Sequence, residues 1–163
     1  MKFEKFLKYC GVRGTIVNTS EGQFLKLANV FFKIPVGVNV LSAVTTDAPE
    51  FIENIFDDFD DEMLYKAELT AAELEAPDAG PSAIRRVWTN SEKGYIKIAN
   101  KIFGMIERSD HAYTFSESQN AEDEQDALVI TTGYGNDEAV SAIILDTQYY
   151  YNSITNKEEN NND

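Results

Sequence analysis

The chain has 163 residues, the length of one domain, and its 43% hydrophobic and 12% aromatic content is typical of a globular fold rather than a disordered chain. A formal net charge of −14 repels nucleic acid and anionic lipid at long range, so we expect neither as a direct partner. Cys10 is the single cysteine, which excludes an internal disulfide, and no apolar run is long enough to span a bilayer.

The first third of the sequence predicts one helix followed by strands. Apolar residues recur with helical spacing from Phe3 to Cys10, and Gly11 follows at the position of a helix C-cap glycine. Pro35 cannot donate a ladder hydrogen bond and therefore ends a strand. Strands are predicted at residues 14–17, 24–28 and 30–34.

A second helix is predicted over residues 48–58. Asp47 precedes it, Pro49 stands in its first turn, and Glu50 follows Asp47 by three residues, which is the polar pattern of a capping box. The apolar residues of this segment then line one side of a helix.

The remaining predicted elements are strands. Residues 63–69 fit either a strand or a helix, and we favour the strand. Further strands are predicted at residues 84–88, 95–99, 102–106, 112–115, 127–132 and 139–145. The last two form a hairpin around a turn at 133–137, and the polar segment 116–125 reads as an exposed loop. The fold that we predict is α+β, mainly an antiparallel β meander of about eight strands, with an N-terminal helix and one further helix.

Residues 20–32 resemble residues 91–103, which suggests internal duplication of a three-stranded unit. In this interpretation Asn29 and Asn100 occupy turn positions with positive φ. Convergence of two similar hairpins is the alternative. A single globular domain is predicted for residues 1–151, followed by a polar C-terminal tail at 152–163.

Residues with catalytic or metal-binding chemistry form no complete motif. The acidic run 57–62 lacks the alternating spacing of an EF-hand loop, so we interpret it as a solvated helix end. His111, the single histidine, could be oriented by Asp110, but no serine-based triad surrounds it, and a loop or strand-entry residue is favoured. Cys10 lies on an apolar helix face, which is typical of a buried structural thiol. We therefore expect no enzymatic activity, no cofactor and no metal site.

Charge is distributed unevenly along the chain. Residues 1–13 are mostly cationic, whereas residues 109–156 contain many Asp and Glu but no Lys or Arg. This asymmetry favours binding to a basic protein or to other copies of the chain, and acidity that serves solubility alone is the alternative. Three tyrosines stand in a row at 149–151, and tyrosine is enriched at protein interfaces. The alternative is that this run ends the last strand and packs on its own domain. The expected interface residues are Glu117, Glu122, Asp123, Glu124, Asp126, Tyr149, Tyr150 and Tyr151.

Residues 6–17, FLKYCGVRGTIV, followed by FFKIP at 31–35, resemble small uncharacterised proteins in phages and prophages of Gram-positive gut bacteria. The resemblance covers the first quarter of the chain and implies a phage origin, but no activity. We therefore expect a non-enzymatic acidic protein-binding or assembly protein, such as a phage virion structural component, in the host cytoplasm or in the virion. The alternative is an acidic inhibitor, either an immunity protein or a nucleic-acid mimic, that blocks a basic partner. A third hypothesis is an enzyme whose catalytic carboxylates are distant in sequence and come together only in the folded chain.

Overall fold

The computed structural model describes residues 1–11, 13–41, 44–75, 83–92, 94–118 and 124–147. Within these residues the chain forms three helices, α1 (Phe3–Cys10), α2 (Glu50–Asp60) and α3 (Asn100–Phe103). It also forms ten strands: β1 (Thr15–Thr19), β2 (Gly22–Leu27), β3 (Val30–Lys33), β4 (Thr45–Asp47), β5 (Tyr65–Glu75), β6 (Ile84–Thr89), β7 (Tyr95–Ala99), β8 (His111–Ser118), β9 (Glu124–Thr132) and β10 (Ala139–Leu145). The predicted α+β class is confirmed, and the strands belong to one mixed sheet.

The strand order in the sheet is β4-β1-β2-β3-β10-β9-β8-β5-β6-β7. The pairings are antiparallel except for β1 and β4, which run parallel. The predicted hairpin of β9 and β10 is present, but it lies between β3 and β8 rather than at an edge. The sheet is therefore not a sequential meander, and it has ten strands where about eight were predicted.

The central strands are buried on both faces. In β9, Leu128 and Ile130 belong to a core that includes α1, whereas Ala127 and Val129 belong to a second core that includes α2. Successive side chains of a strand point to opposite faces, so a strand covered on both faces needs a continuous apolar run. This is why residues 127–130 contain no polar residue.

The helices cover the two faces of the sheet. On one face, Phe6 of α1 stacks on Phe32 of β3 with ring centroids 5.1 Å apart, and Ile102 of α3 joins the same core. On the other face, Phe56 of α2 contacts Phe24 of β2, with ring centroids 5.7 Å apart. The polar sides of α1 and α2 therefore face away from each other, with the sheet between them.

The second unit of the suggested duplication lacks its third strand. The prediction of a strand at 102–106 is wrong, because α3 and a turn occupy this segment. The backbone N–H of Asn100, at the start of α3, donates to the carbonyl of Ala83. In the first unit the positive φ belongs to Ala28 (52°) rather than to Asn29, whose side-chain amide donates to the carbonyl of Leu145 at 2.7 Å.

Two further boundaries differ from the predictions for the same physical reason, which is strand pairing. Asp47 does not cap α2, because it belongs to β4 and pairs with Asn18 of β1. Pro49 takes the cap position instead, without a side-chain hydrogen bond to the helix. The predicted loop 116–125 is partly strand, because β8 and β9 stay paired as far as Ser118 and Glu124. The predicted tail 152–163 lies outside the described residues.

Candidate functional site

An acidic cavity of about 470 Å³ lies between the end of α2 and the turn that joins β9 to β10. We call it the acidic cleft. Its lining residues are Phe59, Asp60, Glu62, Leu64, Tyr113, Gly135, Asn136 and Glu138. Three carboxylates and two aromatic rings thus surround one space, and its volume lies within the range of about 300–1,000 Å³ found for ligand pockets.

The amphipathic pattern of α2 places the acidic residues at the mouth of the cleft. Ile52, Ile55 and Phe56 are buried against the sheet, and Asp60, the last residue of the helix, is exposed beside this buried face. The helix ends there, and Glu62 adopts a left-handed conformation with φ of 57° that turns the chain back toward β5. Side chains rarely adopt this conformation unless tertiary contacts hold it, so the position of Glu62 is set by the turn.

Glu138 forms the back wall of the cleft and accepts hydrogen bonds from three side chains. Its Oε1 accepts from the hydroxyl of Thr131 and, at 3.2 Å, from the hydroxyl of Tyr113. His111 Nδ1 lies 3.2 Å from the same oxygen. Burial raises the pKa of Tyr113, and the negative charges of Glu138 and Glu62 raise it further. Tyr113 therefore stays neutral near pH 7 and holds this carboxylate in place as a donor.

The partner of His111 is therefore Glu138 and not its neighbour Asp110, so the suggested orientation by Asp110 is wrong. Asp110 is buried, and its Oδ1 accepts a hydrogen bond of 2.8 Å from the N-terminal ammonium of Met1. Its Oδ2 accepts from the backbone N–H of Glu107 at 2.7 Å. Sequence adjacency suggested the wrong carboxylate because neighbouring residues point to opposite sides where β8 begins.

The predicted interface residues are placed as follows. Asp126 is 3% exposed, and its Oδ1 accepts a hydrogen bond of 2.6 Å from the hydroxyl of Ser116 on β8. Its carboxylate therefore faces the interior rather than a partner. Glu117 and Glu124 belong to β8 and β9, but their side chains lie outside the described part of the chain. The other predicted interface residues, which also lie outside it, are Glu122, Asp123, Tyr149, Tyr150 and Tyr151.

Among the residues that the structure describes, no three His, Cys, Asp or Glu side chains are grouped closely enough to hold a metal ion. The acidic run 57–62 is among the residues to which this applies. Cys10 is buried under α1, and burial raises the pKa of its thiol to about 11, so it remains a neutral thiol near pH 7.

A second charged surface lies on the opposite face of the sheet. We call it the basic groove; it has a volume of about 480 Å³ and is lined by Lys5, Lys8, Tyr9, Lys101, Gly104 and Met105. The ammonium of Lys101 lies 4.3 Å from the centroid of the Tyr9 ring. In the part of the chain described, no ion pair joins its three lysines to a carboxylate.

A third cavity, of about 840 Å³, lies where β5 separates from β8. The two strands pair only at Tyr65 and Lys66, and the space beyond is lined in part by apolar side chains that include Leu69, Phe103 and Ile106. Charged side chains, among them Glu68, Arg108 and Asp110, also line it. His111 stands at its edge, but Nδ1 of this ring is already engaged by Glu138. The cavity thus combines apolar walls with charged groups of both signs.

Comparison with known proteins adds no assignment to these surfaces. Within the described residues, no helix combines the length and the apolar character that crossing a membrane requires. No protein-family model matches the chain, and no curated protein or solved structure matches it either.

Proposed function

We propose that this chain is a non-enzymatic protein-binding and assembly protein, and that its acidic cleft binds cationic side chains of a protein partner. The observation that carries the proposal is the arrangement of Asp60, Glu62 and Glu138 around one cavity, with Phe59 and Tyr113 as aromatic walls. A guanidinium or ammonium group gains both from carboxylate oxygens and from the face of an aromatic ring. The cleft therefore suits arginine or lysine.

The hydrogen bonds within the cleft support binding rather than proton transfer. Glu138 is held by Thr131 and Tyr113, and a fixed carboxylate presents its charge at little further cost in conformational entropy. Asp60 and Glu62 are exposed at the mouth, where they can attract a cationic partner before contact. Membership of a phage virion is the most specific form of this proposal, and its support is the resemblance of the first quarter of the chain.

The proposal is tested with a short arginine-rich peptide as the probe, by isothermal titration calorimetry at several salt concentrations. We expect the double variant Asp60→Asn, Glu62→Gln to bind the peptide about tenfold more weakly, because exposed charge pairs each contribute a few-fold. The matched control is Glu68→Gln, Glu92→Gln, which removes the same charge from exposed positions outside the cleft. The control should change the affinity by less than about twofold. Equal weakening in both variants would mean that diffuse charge binds the peptide, and the proposal would fail.

A further inference from the structure

The acidic cleft and the basic groove lie on opposite faces of the sheet. Phe59, Leu64 and Tyr113 of the cleft pack against the core that includes α2. The groove is built on α1 and on the segment after α3, where Met105 belongs to the other core. The two surfaces therefore cannot contact each other within one molecule.

The basic groove is positively charged, although the molecule as a whole is negatively charged. With a formal net charge of −14, most of the surface repels an acidic protein, but Lys5, Lys8 and Lys101 line a single groove. The polar side of α1 supplies two of them. The third is brought near by the packing of the N-terminus, because the backbone N–H of Lys2 donates to the carbonyl of Met105 at 3.0 Å. A groove with three cations attracts a surface with several carboxylates.

We propose that the basic groove of one copy binds the acidic cleft of a second copy, so that the chain associates head to tail. This inference rests on the proposed function of the cleft and names its partner. The occupant is argued from charge complementarity: the cleft presents exposed Asp60 and Glu62, with Asp57 and Asp61 beside it, and the groove presents three exposed lysines. The resulting dimer still has one free cleft, on one copy, and one free groove, on the other. Such a contact is heterologous, and it continues into a filament or closes into a ring.

The experiment is sedimentation velocity of the full chain over a range of concentrations. We expect species larger than a dimer at about 0.1 M salt, where a Debye length of about 10 Å screens the long-range repulsion between copies of net charge −14. We expect dissociation at about 1 M salt, where the Debye length is about 3 Å and the contact between cleft and groove is screened as well. A groove variant, Lys5→Gln, Lys8→Gln, Lys101→Gln, and a cleft variant, Asp57→Asn, Asp60→Asn, Asp61→Asn, should each self-associate at least about tenfold more weakly.

Mixing the two variants gives the sharpest test. The groove variant retains its cleft and the cleft variant retains its groove, so the mixture should form a one-to-one heterodimer that does not grow. The control variant Lys26→Gln, Lys33→Gln, Lys66→Gln has the same net charge as the groove variant and should assemble like the unchanged chain. Assembly that the groove variant retains, or a mixture that stays monomeric, would overturn the head-to-tail contact.

Failure of this inference can be separated from failure of the proposed function. If the unchanged chain stays monomeric at every salt and concentration while its cleft still binds the arginine-rich peptide, the second copy is the wrong partner and the cleft remains a binding site. If neither binding occurs, both proposals are overturned.

Discussion

Asp146 and Lys97 are joined across the free edge of β7: Oδ2 of Asp146 accepts a hydrogen bond of 2.9 Å from the backbone N–H of Lys97. The hydroxyl of Thr147 donates to the carbonyl of the same residue at 2.9 Å. Both outward backbone groups of Lys97 are thus satisfied by side chains from the end of β10. An edge strand with open backbone groups is a template for pairing with another chain, and these two contacts cover the edge at Lys97.

Replacement of Asp146 by alanine should lower the free energy of unfolding by about 1.5–3 kcal/mol, because a buried hydrogen bond to a charged group is lost. Urea denaturation followed by circular dichroism measures the change. Glu92→Ala, at an exposed turn position, is the control and should stay within about 0.5 kcal/mol of the unchanged chain. Similar losses in both variants would contradict the edge contact.

The ion pair between the N-terminal ammonium and Asp110 should contribute much more to the free energy of unfolding than the pair with Glu107. The side chain of Asp110 is 2% exposed and 2.8 Å from the ammonium, whereas that of Glu107 is 43% exposed and 3.5 Å away. Asp110→Asn should cost about 3 kcal/mol, because a buried charge loses its partner. Glu107→Gln should cost less than about 1 kcal/mol, as for other exposed pairs. Thermal unfolding of the two variants compares them directly, and an equal cost would refute the assignment.

Glu138 should matter as a hydrogen-bond acceptor and as a charge, and two variants separate these roles. Glu138→Ala leaves the fully buried hydroxyl of Thr131 without this acceptor, which should cost about 1–3 kcal/mol in urea denaturation. Glu138→Gln keeps an acceptor oxygen and should cost less. It should also lower the pKa of Tyr113, because one of the charges that raise it is removed. Ultraviolet titration checks this, with Tyr113→Phe to assign the signal; an unchanged titration would exclude the interaction.

The two glycines of the β9–β10 turn should respond differently to alanine. A Cβ at Gly133 would lie 2.3 Å from the backbone oxygen of Asp137, and φ there is 101°. Gly135 also has positive φ, 57°, but a Cβ at that position would meet nothing within 4 Å. We expect a cost of about 1 kcal/mol at Gly135 and at least about 3 kcal/mol at Gly133, measured by thermal unfolding. A larger cost at Gly135 would show that the turn has another geometry.

Cys10 should make the folded state less stable as the solution becomes alkaline. Burial raises the pKa of its thiol from 9.0 to about 11, so the unfolded chain releases this proton at lower pH than the folded chain. The stabilising contribution is complete below pH 9.0 and is lost as the pH rises toward about 11. In Cys10→Ala the unfolding free energy should fall less steeply in this window, by up to about 1.4 kcal/mol per pH unit. Parallel pH profiles of the two proteins would disprove the shift.

The elements that could be predicted from the sequence are those whose pattern is local. Helix α1 follows from apolar spacing that ends at Gly11, and the β9–β10 hairpin follows from two β-branched runs around a glycine-rich turn. The short strand β4 was missed because its pairing with β1 comes from distant residues. Helix α3 was predicted as a strand because four residues are too few to show a period.

Only the part of the candidate site that is contiguous in sequence could be predicted, because tertiary contacts bring the other residues to it. The acidic run 57–62 is visible in the sequence, but Glu138 joins it only because the β9–β10 turn lies beside the end of α2. Lys101 likewise joins Lys5 and Lys8 through tertiary packing. Asp126 was assigned to an exposed surface because its neighbours in sequence are polar. Pairing of β8 with β9 places it opposite Ser116 instead.

The position of the β9–β10 hairpin has a consequence for how the chain acquires its structure. Among the described strands these two are synthesised last, yet they occupy the middle of the sheet and connect β3 to β8. During translation the emerging chain therefore exposes two unpaired strand edges and apolar residues of both cores until the hairpin leaves the ribosome. Pairings so distant in sequence form slowly, so the nascent protein is most prone to aggregate just before synthesis of this segment is complete.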